Sequence, residues 1–535
     1  MKFRTASPVT VIAFAITVIA FDSYVLAQSQ ARDDTTVVAV DGGKVRGVAT
    51  DGLLTFKGIP FARPPVSDLR WRAPQPVEPW DGVRDANAVG ADPMQPAHLA
   101  TPGVAISEDC LYLNVWSPAT TSIKARLPVM VWIYGGGLVK GGAALYPGQY
   151  LARQGIVVVT FNYRLGRIGF FAHPAPAAEA PDEPRGNYGY MDQIAALQWV
   201  QRNIAAFGGD PNNVTIAGQS AGGGSVLVLL TSPMARGLFH RAILESPGLP
   251  AARTAPGPMR NLDSAESIAI EYARAHGISG DNKTVLAALR SLSGEELTRG
   301  LEEYGLAVFG GPEIAGLSHS IIDGRLVIEA PEAALRAGRQ AMVPVMVGAN
   351  ERDLAVTPAQ TKDALFARLG PRAVEARKLY DPTGKASFDD VRQAVCADFG
   401  MIEPSRILAE WMADAGQRAY FYRFAYVPEA WREKMSGAVH AGELLFVFDC
   451  VPLLVGDKTT VADLAMARTV SGYWTDFIKT GDPNGGGRPE WKPYDSSTRD
   501  VMSFTASGAA FGADPLRQRL DLWREVWDPE RVTRP

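Results

Sequence analysis

Cysteine is scarce in this sequence: Cys110, Cys396 and Cys450 are the only three among 535 residues. So small and odd a number excludes a fold built on a disulfide framework. One bridge between Cys396 and Cys450 and three unpaired thiols are both compatible with the sequence. No two cysteines have the spacing of metal ligands, and the six histidines form no cluster, so we expect no metal; the absence of a cofactor is expected only from the mechanism considered below.

An excess of charge of either sign is also missing. The 53 Lys and Arg against 57 Asp and Glu leave a net charge of −4, too small to favour nucleic acid or an anionic membrane as a partner. We find no internal repeat and no long low-complexity segment. With 47% hydrophobic and 21% charged residues, the composition is that of a globular protein with a large core. Length alone suggests two or more domains, but we favour one large α/β domain over residues 28–535.

The N-terminal apolar stretch is too short for a typical membrane span, because residues 9–21 number only thirteen. Lys2 and Arg4 precede it, and Val25-Leu26-Ala27 offers a cleavage site. These features predict a signal peptide over residues 1–27 and a secreted or periplasmic mature chain with no stable membrane insertion. An uncleaved membrane anchor is the alternative.

Apolar runs in the rest of the chain predict an α/β architecture. Continuous runs rich in β-branched residues, at 127–134 and 156–162, suit strands that are buried on both faces. Further strands are predicted at residues 36–40, 43–48, 53–58, 111–116, 214–217, 241–245, 344–348 and 419–424. The first three are predicted to form a small antiparallel meander. The last is predicted to lie near a sheet edge. Helical spacing predicts helices at 190–207 and 463–479, and mostly helical insertions at 261–310 and 357–413. Strands separated by helices indicate a large, mostly parallel central sheet with helices on both faces, and the insertions could cap the carboxyl ends of its strands, where ligands bind.

The segment around Ser220 has the pattern of a reactive serine. A β-branched strand ends in Gly218-Gln219-Ser220-Ala221-Gly222, and an apolar helical run follows at residues 225–230. In a strand–turn–helix context, G-x-S-x-G holds the serine on a strained turn, with its hydroxyl projecting from the strand end and the helix N-terminus beneath it. A plain glycine-rich turn is the alternative interpretation.

A serine hydroxyl needs a neighbouring base, and the base needs an acid that holds it in place. Of the six histidines, His440 fits best, because it lies in a loop of small residues and follows every strand that could supply the acid. His319 is the second choice. Glu351 and Asp353, which follow the predicted strand at 344–348, are both candidates for the acid, and a solvated loop carboxylate is the alternative for each.

Three glycines, Gly135-Gly136-Gly137, close the strand predicted at 127–134. Without side chains, their backbone N–H groups can approach a substrate oxygen closely. Together with the N–H of Ala221 they are predicted to form an oxyanion hole. A phosphate-binding loop is the competing interpretation, but no Lys-Ser/Thr pair follows the glycines, which excludes a Walker-type loop.

Seven segments, taken in order, resemble one known family. They are residues 56–62 (FKGIPFA), 107–114 (SEDCLYLN), 132–137 (WIYGGG), 162–164 (NYR), 208–211 (GGDP), 218–222 (GQSAG) and 437–440 (GAVH). Through them nearly all of the mature chain resembles the type-B carboxylesterases, which have the α/β-hydrolase fold. The resemblance implies that Ser220 is the nucleophile and His440 the general base. It also implies that the backbone N–H groups of Gly136, Gly137 and Ala221 stabilise the oxyanion.

Several positions depart from the family pattern. The family's acid, usually Glu, falls on Asp353, and Leu354 stands where Gly is usual. Gln219 stands before the serine, where many members have Glu. Cys110 matches a family cysteine whose usual upstream partner is missing, so we expect no such disulfide. The loop at 93–109 has no aromatic residue to hold a quaternary amine, which argues against cholinesterase activity.

The activity that the resemblance implies is hydrolysis of carboxylic esters through an acyl-enzyme intermediate. An amidase or lactonase would use the same residues, and a non-catalytic, esterase-like binding module is disfavoured because the serine and the histidine are both present. Leu138, Leu227 and residues 304–314 are candidates for the substrate pocket, although core packing or loop structure explains them equally well. Their apolar character predicts small-molecule esters with acyl groups of moderate size.

Overall fold

The computed structural model describes residues 36–119, 125–248, 259–303, 314–355 and 357–527. They form two compact units. The first unit comprises the described residues of 32–244 and 250–343, and the second comprises those of 245–249 and 344–535. The predicted signal peptide at 1–27 and nearly all of the candidate pocket segment at 304–314 lie outside the described residues.

The first unit contains a large mixed sheet and three small sheets. Its strands are β1 Val37–Val40, β2 Gly43–Arg46, β3 Val48–Thr50, β4 Leu53–Pro60, β5 Val83–Asp85, β6 Asp92–Pro93, β7 Ile106–Ser107, β8 Tyr112–Pro118, β9 Leu127–Ile133, β10 Val157–Phe161, β11 Gly209–Gln219, β12 Arg241–Glu245, β13 Met259–Asn261 and β14 Ser320–Ile322. The large sheet runs in the order β12-β11-β9-β10-β8-β4-β3. Strand β9 is parallel to both β10 and β11, whereas β8, β4 and β3 join by antiparallel pairing.

The central strands are buried on both faces, which explains why their continuous apolar runs predicted them correctly. All five residues of β10 and the last five of β9 are buried, as the continuous apolar runs predicted. The small N-terminal sheet is also present, with β1 antiparallel to β2 and β2 parallel to β5. The third strand predicted for that meander, β4, belongs instead to the large sheet, where it pairs with β8.

Nine α-helices lie in the first unit. They are α1 Gln149–Ala152, α2 Gly166–Gly169, α3 Pro174–Glu179, α4 Tyr188–Asn203, α5 Ala221–Thr231, α6 Leu262–Ala275, α7 Asn282–Ser291, α8 Gly294–Thr298 and α9 Pro331–Arg336 among the described residues. Helix α4 and the short 3₁₀ turn after it cover the helix predicted at 190–207. The first predicted insertion is helical as expected, through α6, α7 and α8.

The second unit has four strands with the order β18-β17-β16-β15. They are β15 Val345–Asn350, β16 Ala419–Phe424, β17 Asp500–Thr505 and β18 Gly508–Ala513. Strands β15, β16 and β17 are parallel, and β18 closes a hairpin with β17. Its helices are α10 Lys362–Ala367, α11 Ala373–Tyr380, α12 Phe388–Ala397, α13 Glu403–Asp414, α14 Leu444–Val447, α15 Pro452–Val455, α16 Val461–Thr480 and α17 Arg517–Trp527.

Strand β16 is a second strand whose predicted position was wrong. Its polar–apolar alternation predicted a place near a sheet edge, yet all six residues are buried between β15 and β17. An aromatic cluster covers the strand, because the Tyr422 ring lies 5.0 Å from that of Trp474 and 6.4 Å from those of Trp491 and Phe504. The hairpin of β17 and β18, which makes β16 internal, was not predicted.

Within the part of the chain that the structure describes, no helix has the length and apolarity that a membrane crossing requires. In the same part, no group of three or more His, Cys, Asp or Glu side chains has the arrangement of a metal site.

Candidate active site

Ser220 is the single residue between strand β11 and helix α5. Its φ of 58° and ψ of −125° lie in a region that residues with a side chain rarely adopt. The first helical hydrogen bond, from the Gly224 N–H to the Ser220 carbonyl (2.8 Å), starts the helix at once. The serine therefore occupies the sharp, strained strand-to-helix turn that the G-x-S-x-G pattern predicted.

The two glycines of the pattern are required by close packing. A Cβ added at Gly222 would lie 2.0 Å from the carbonyl oxygen of Ile133, and one added at Gly218 would lie 2.6 Å from the carbonyl carbon of Gly222. Real Cβ atoms do not approach other atoms so closely, so only glycine lets α5 start against the end of β9. These contacts fix where the turn holds Ser220.

The loop Gly135-Gly136-Gly137 lies directly against the serine turn. A Cβ at Gly135 would be 2.5 Å from the Gln219 carbonyl oxygen and 3.0 Å from the Ser220 Cβ. Gly136, Gly137 and Leu138 have successive φ values of 108°, 70° and 63°. Such a run of positive φ values turns the backbone sharply, which two glycines allow at no steric cost.

Buried side chains from other segments hold this loop in place. The Tyr163 hydroxyl donates to the Tyr134 carbonyl (2.7 Å), and the two rings stack with centroids 4.5 Å apart. On the other side of the glycines, the Gln95 amide both accepts from the Gly141 N–H and donates to the Gly141 carbonyl, each at 2.8 Å. The Asn162 side chain accepts from the Ala143 N–H (2.8 Å). The loop is thus anchored at both ends by buried side chains.

His440 and Asp353 meet in the second unit. Asp353 follows the end of β15, and His440 lies in the loop between β16 and α14. The Nδ1–H of His440 donates to Asp353 Oδ1 at 2.5 Å. A backbone hydrogen bond from the Arg352 N–H to the Ala438 carbonyl (2.8 Å) ties the two loops together.

Asp353 is buried, and its other oxygen is hydrogen-bonded as well. The Ser246 hydroxyl donates to Oδ2 at 2.7 Å, and the Asn350 N–H donates to the same oxygen at 3.0 Å. Burial raises the pKa of the Asp353 carboxyl, but the charge of His440 and the hydrogen bonds from His440, Ser246 and Asn350 outweigh burial and hold the pKa below its usual value. An ionised Asp353 can only accept, so it keeps the proton of His440 on Nδ1 and leaves Nε2 as the basic nitrogen.

Comparison with known proteins identifies the family to which the chain belongs. The sequence profile described as "Carboxylesterase family" matches residues 34–523. The chain belongs to the carboxylesterase family. It is 35% identical over 517 residues to the fumonisin B1 esterase of Sphingopyxis macrogoltabida, covering 91% of this chain and 90% of that protein. It is also 35% identical over 532 residues to carboxylesterase 1D of Mus musculus, with 91% of each covered.

Solved structures agree. A PNB esterase structure matches with a TM-score of 0.76 and 32% identity, covering 91% of this chain and 100% of that chain. The fold is therefore the α/β-hydrolase fold, and the protein is a serine carboxylesterase that hydrolyses carboxylic esters. This confirms the fold and the activity that the motifs had implied.

The two acid candidates of this carboxylesterase have different surroundings. The Glu351 carboxylate pairs with the Arg423 guanidinium at 2.9 Å, and its side chain is 36% exposed. Asp353, whose side chain is fully buried, is the carboxylate next to His440. The structure thus brings Asp353, and not Glu351, to the imidazole.

Four residues around the Asp353–His440 pair were not predicted from the sequence. Ser246 and Asn350 hold Asp353, and the buried carboxyl groups of Glu443 and Glu245 lie close by. The Asn350 amide donates to Glu443 Oε2 and to the Val439 carbonyl. A signal did exist, because polar Glu245 and Ser246 directly follow the apolar run 242–244, and Glu443 sits three residues after the histidine.

The candidate pocket residues are placed only in part. Leu227 is completely buried within α5, and Leu138 is 7% exposed beside the glycine loop. Of the segment 304–314, the structure describes Ile314, which packs with Val139, Leu301 and Leu317. Leu138 therefore stays a candidate for contact with substrate, whereas Leu227 is core.

All three cysteines are free thiols. Cys110 and Cys450 are buried, and Cys396 is partly buried. The bridge between Cys396 and Cys450 that the sequence left open is therefore not formed, and the expected absence of a Cys110 disulfide agrees with the structure.

Proposed function

We propose that this carboxylesterase cleaves esters with Ser220 as nucleophile, His440 as general base and Asp353 as the acid that orients the base. The observation that carries the proposal is the 2.5 Å hydrogen bond between His440 Nδ1 and Asp353 Oδ1. With the proton held on Nδ1, Nε2 is the basic nitrogen, and the strained turn presents Ser220 as the group that gives up a proton to it.

The proposed reaction runs in two halves. Ser220 Oγ attacks the ester carbonyl while His440 Nε2 takes the hydroxyl proton, and the N–H groups of Gly136, Gly137 and Ala221 stabilise the oxyanion. The imidazolium then protonates the leaving alcohol, which departs and leaves an acyl group on Ser220. His440 next activates a water molecule, which attacks the acyl-enzyme and releases the carboxylic acid. These residues need no cofactor for either half.

The proposed substrates are small-molecule esters with an acyl group of moderate size. Leu138, which is nearly buried next to the glycine loop, supports an apolar surface there. A series of p-nitrophenyl esters of increasing acyl length tests this, and we expect kcat/KM to pass through a maximum at intermediate length. A continuous rise to long-chain esters would contradict the proposed size limit.

Replacing the nucleophile tests the central assignment. Ser220→Ala should lower kcat on the best ester by at least ~10³-fold, because only binding and oxyanion stabilisation would remain. A fluorophosphonate should add one group to the wild-type protein and none to the variant, as read by intact mass. Ser267→Ala, an exposed serine on α6, is the matched control and should keep both turnover and labelling. Retained turnover in Ser220→Ala would refute the assignment.

We further propose that the protein is exported and that residues 1–27 are its signal peptide. Expression of the full chain in a bacterial host, followed by intact mass of the periplasmic and medium fractions, should give a mature N-terminus near Gln28. Recovery in the membrane pellet with residues 1–27 retained would favour the anchor instead.

A further inference from the structure

A cluster of buried acidic side chains lies next to the Asp353–His440 pair. Glu245 and Glu443 have no exposed surface, and Asp353 is 2% exposed. Asn350 links two of them, because its N–H donates to Asp353 and its side-chain amide donates to Glu443. Glu245 is linked through its neighbour, since Ser246 donates to Asp353. Three carboxyl groups in so small a buried volume cannot all be ionised without a large cost.

This cluster has more buried hydrogen-bond acceptors than donors. Within the described residues, the side-chain atoms Glu245 Oε2, Glu443 Oε1, Asn350 Oδ1 and Tyr422 Oη are buried without a partner. The first three accept hydrogen bonds when both carboxyl groups are ionised, and only the Tyr422 hydroxyl can donate. A proton on one carboxyl group would convert an acceptor into a donor and remove one negative charge.

We propose that Glu245 and Glu443 hold one proton between them at neutral pH, and that Glu443 is a positioning residue that sets the proton affinity of His440. This inference rests on the proposed role of His440 as the base. An ionised Glu443 favours the imidazolium form of His440, whereas a neutral Glu443 does not, so the charge of the pair decides the pH at which His440 becomes a base.

The electrostatics of the pair agree with one shared proton. Burial, followed by repulsion from Asp353, raises the pKa of Glu443 to about 7, although the Asn350 hydrogen bond and the charge of His440 act against this. Burial and repulsion from Glu443 raise the pKa of Glu245 well above its usual value, against the hydrogen bond from the Trp474 indole (2.7 Å). Glu245 therefore keeps its proton while Glu443 loses its own near pH 7, and the pair holds one proton once Glu443 has ionised.

The groups that face the pair come from every neighbouring element. Asp353 follows β15, Tyr422 is on β16, His440 precedes α14 and Trp474 is on α16. Burial, together with the charges of Glu245, Glu443 and Asp353, raises the pKa of the Tyr422 hydroxyl, so it stays a neutral donor. The nearby Arg423 is already paired with Glu351. The protonated imidazole of His440 is thus the cationic group that acts on Glu443.

Two isosteric substitutions test the proposal because they should shift activity in opposite directions. Glu443→Gln removes the charge that stabilises the imidazolium, so the acid limb of the kcat/KM profile should move to lower pH. Glu245→Gln removes repulsion from Glu443, which then ionises more readily, so the limb should move to higher pH. A shift of half a pH unit changes kcat/KM on the limb by about threefold at fixed pH. The double variant should follow Glu443→Gln.

A purely structural role gives a different result. Loosened packing would lower kcat equally at every pH and leave the limb in place, and shifts of the same sign in both variants would also overturn the proposal. Fluorophosphonate labelling of Ser220 in each variant separates the two proposals. If labelling proceeds but the limbs do not move, only the carboxyl pair is refuted, whereas turnover in Ser220→Ala refutes the proposed function itself.

An infrared measurement tests the shared proton without relying on activity. The wild-type protein should show a buried, protonated carboxylic acid C=O band that weakens as Glu443 ionises near pH 7 and persists above that pH through Glu245, while the protein stays folded. The band should be altered in both Gln variants. If either variant fails to fold, the wild-type titration alone decides, because a protein without such a band near neutral pH contradicts the proposal.

Discussion

At the scale of single residues, two carboxylates two positions apart have opposite surroundings. Asp353 is buried and accepts hydrogen bonds from His440, Ser246 and Asn350, whereas Glu351 is half-exposed and pairs with Arg423. A buried carboxylate with an imidazole donor can hold that imidazole in one tautomer. The Glu351 carboxylate instead pairs with a guanidinium, so it fixes no histidine tautomer.

These surroundings predict unequal effects of the same substitution. Asp353→Asn should lower kcat by about 10³–10⁴-fold, because the amide no longer holds the Nδ1 proton with a charge and can favour the wrong tautomer. Glu351→Gln, the matched control, should change kcat by about twofold at most, since the glutamine amide oxygen can still accept the hydrogen bond from Arg423. Steady-state kinetics on one p-nitrophenyl ester measure both. A severe loss in Glu351→Gln with an active Asp353→Asn would reverse the assignment.

Candidate site residues could be predicted from the sequence where they belong to a short sequence motif. Ser220 and the glycine loop carry their own sequence signature, and the resemblance to the family selected Asp353 over Glu351. Glu245 and Glu443 carry no such signature, because they lie far apart in the sequence and become neighbours only in the folded chain. A buried acid that touches no substrate leaves little trace in a single sequence.

At the scale of elements, the contact between α5 and the end of β9 determines how the serine turn is held. The helix begins so close to β9 that the position of a Gly222 Cβ falls 2.0 Å from the Ile133 carbonyl oxygen. Since Ile133 is the last residue of β9 and is followed by Tyr134 and the glycine loop, one contact places both the serine turn and that loop.

Gly222→Ala should therefore move the start of α5 and disturb both the serine turn and the glycine loop. We expect a loss of about 1–3 kcal/mol in the free energy of unfolding, as for other overpacked cores, together with a fall in kcat. Urea unfolding and ester kinetics measure the two effects. Gly512→Ala in β18 is the control, because an added Cβ there meets nothing within 4 Å and the backbone has no positive φ, and it should change stability by less than about 0.5 kcal/mol. Equal stability of the two variants would contradict the packing argument.

Strands with long, continuous apolar runs were predicted most accurately from the sequence. Strands β9 and β10 lie within one residue of the predicted bounds, because their continuous runs can hardly be anything but buried strands. Strand β18 was missed, because its residues 508–513 are mostly Gly and Ala and have low strand propensity. Pairing with β17, rather than local preference, makes it a strand.

At the scale of the whole molecule, the chain is stabilised without any disulfide. Burial raises the pKa of the Cys396 thiol to about 11 and that of Cys450 to about 12, and it raises that of Cys110 well above its usual value. Because the thiolate is the reactive form, all three cysteines should be poor nucleophiles in the native protein.

A thiol titration checks this for the protein as purified. We expect slow or no reaction with DTNB in native conditions, and three reactive thiols after unfolding in guanidinium chloride without a reductant. Addition of dithiothreitol should leave Tm unchanged, since no bridge is there to reduce. A single reactive thiol before reduction and three after it would instead reveal a disulfide.

Four non-glycine residues next to the predicted catalytic residues in the sequence or in contact with them, Leu138, Ser220, Ser246 and Ala441, have φ values of 63°, 58°, 45° and 66°. Residues with a branched Cβ resist such angles whatever reaction the protein performs. In a saturation library sorted only by cellular abundance, valine, isoleucine and threonine codons should be depleted at these four positions, whereas glycine and asparagine codons should persist. A selection that never measures ester hydrolysis would thus detect the strained backbone at each of these four positions through its effect on folding alone.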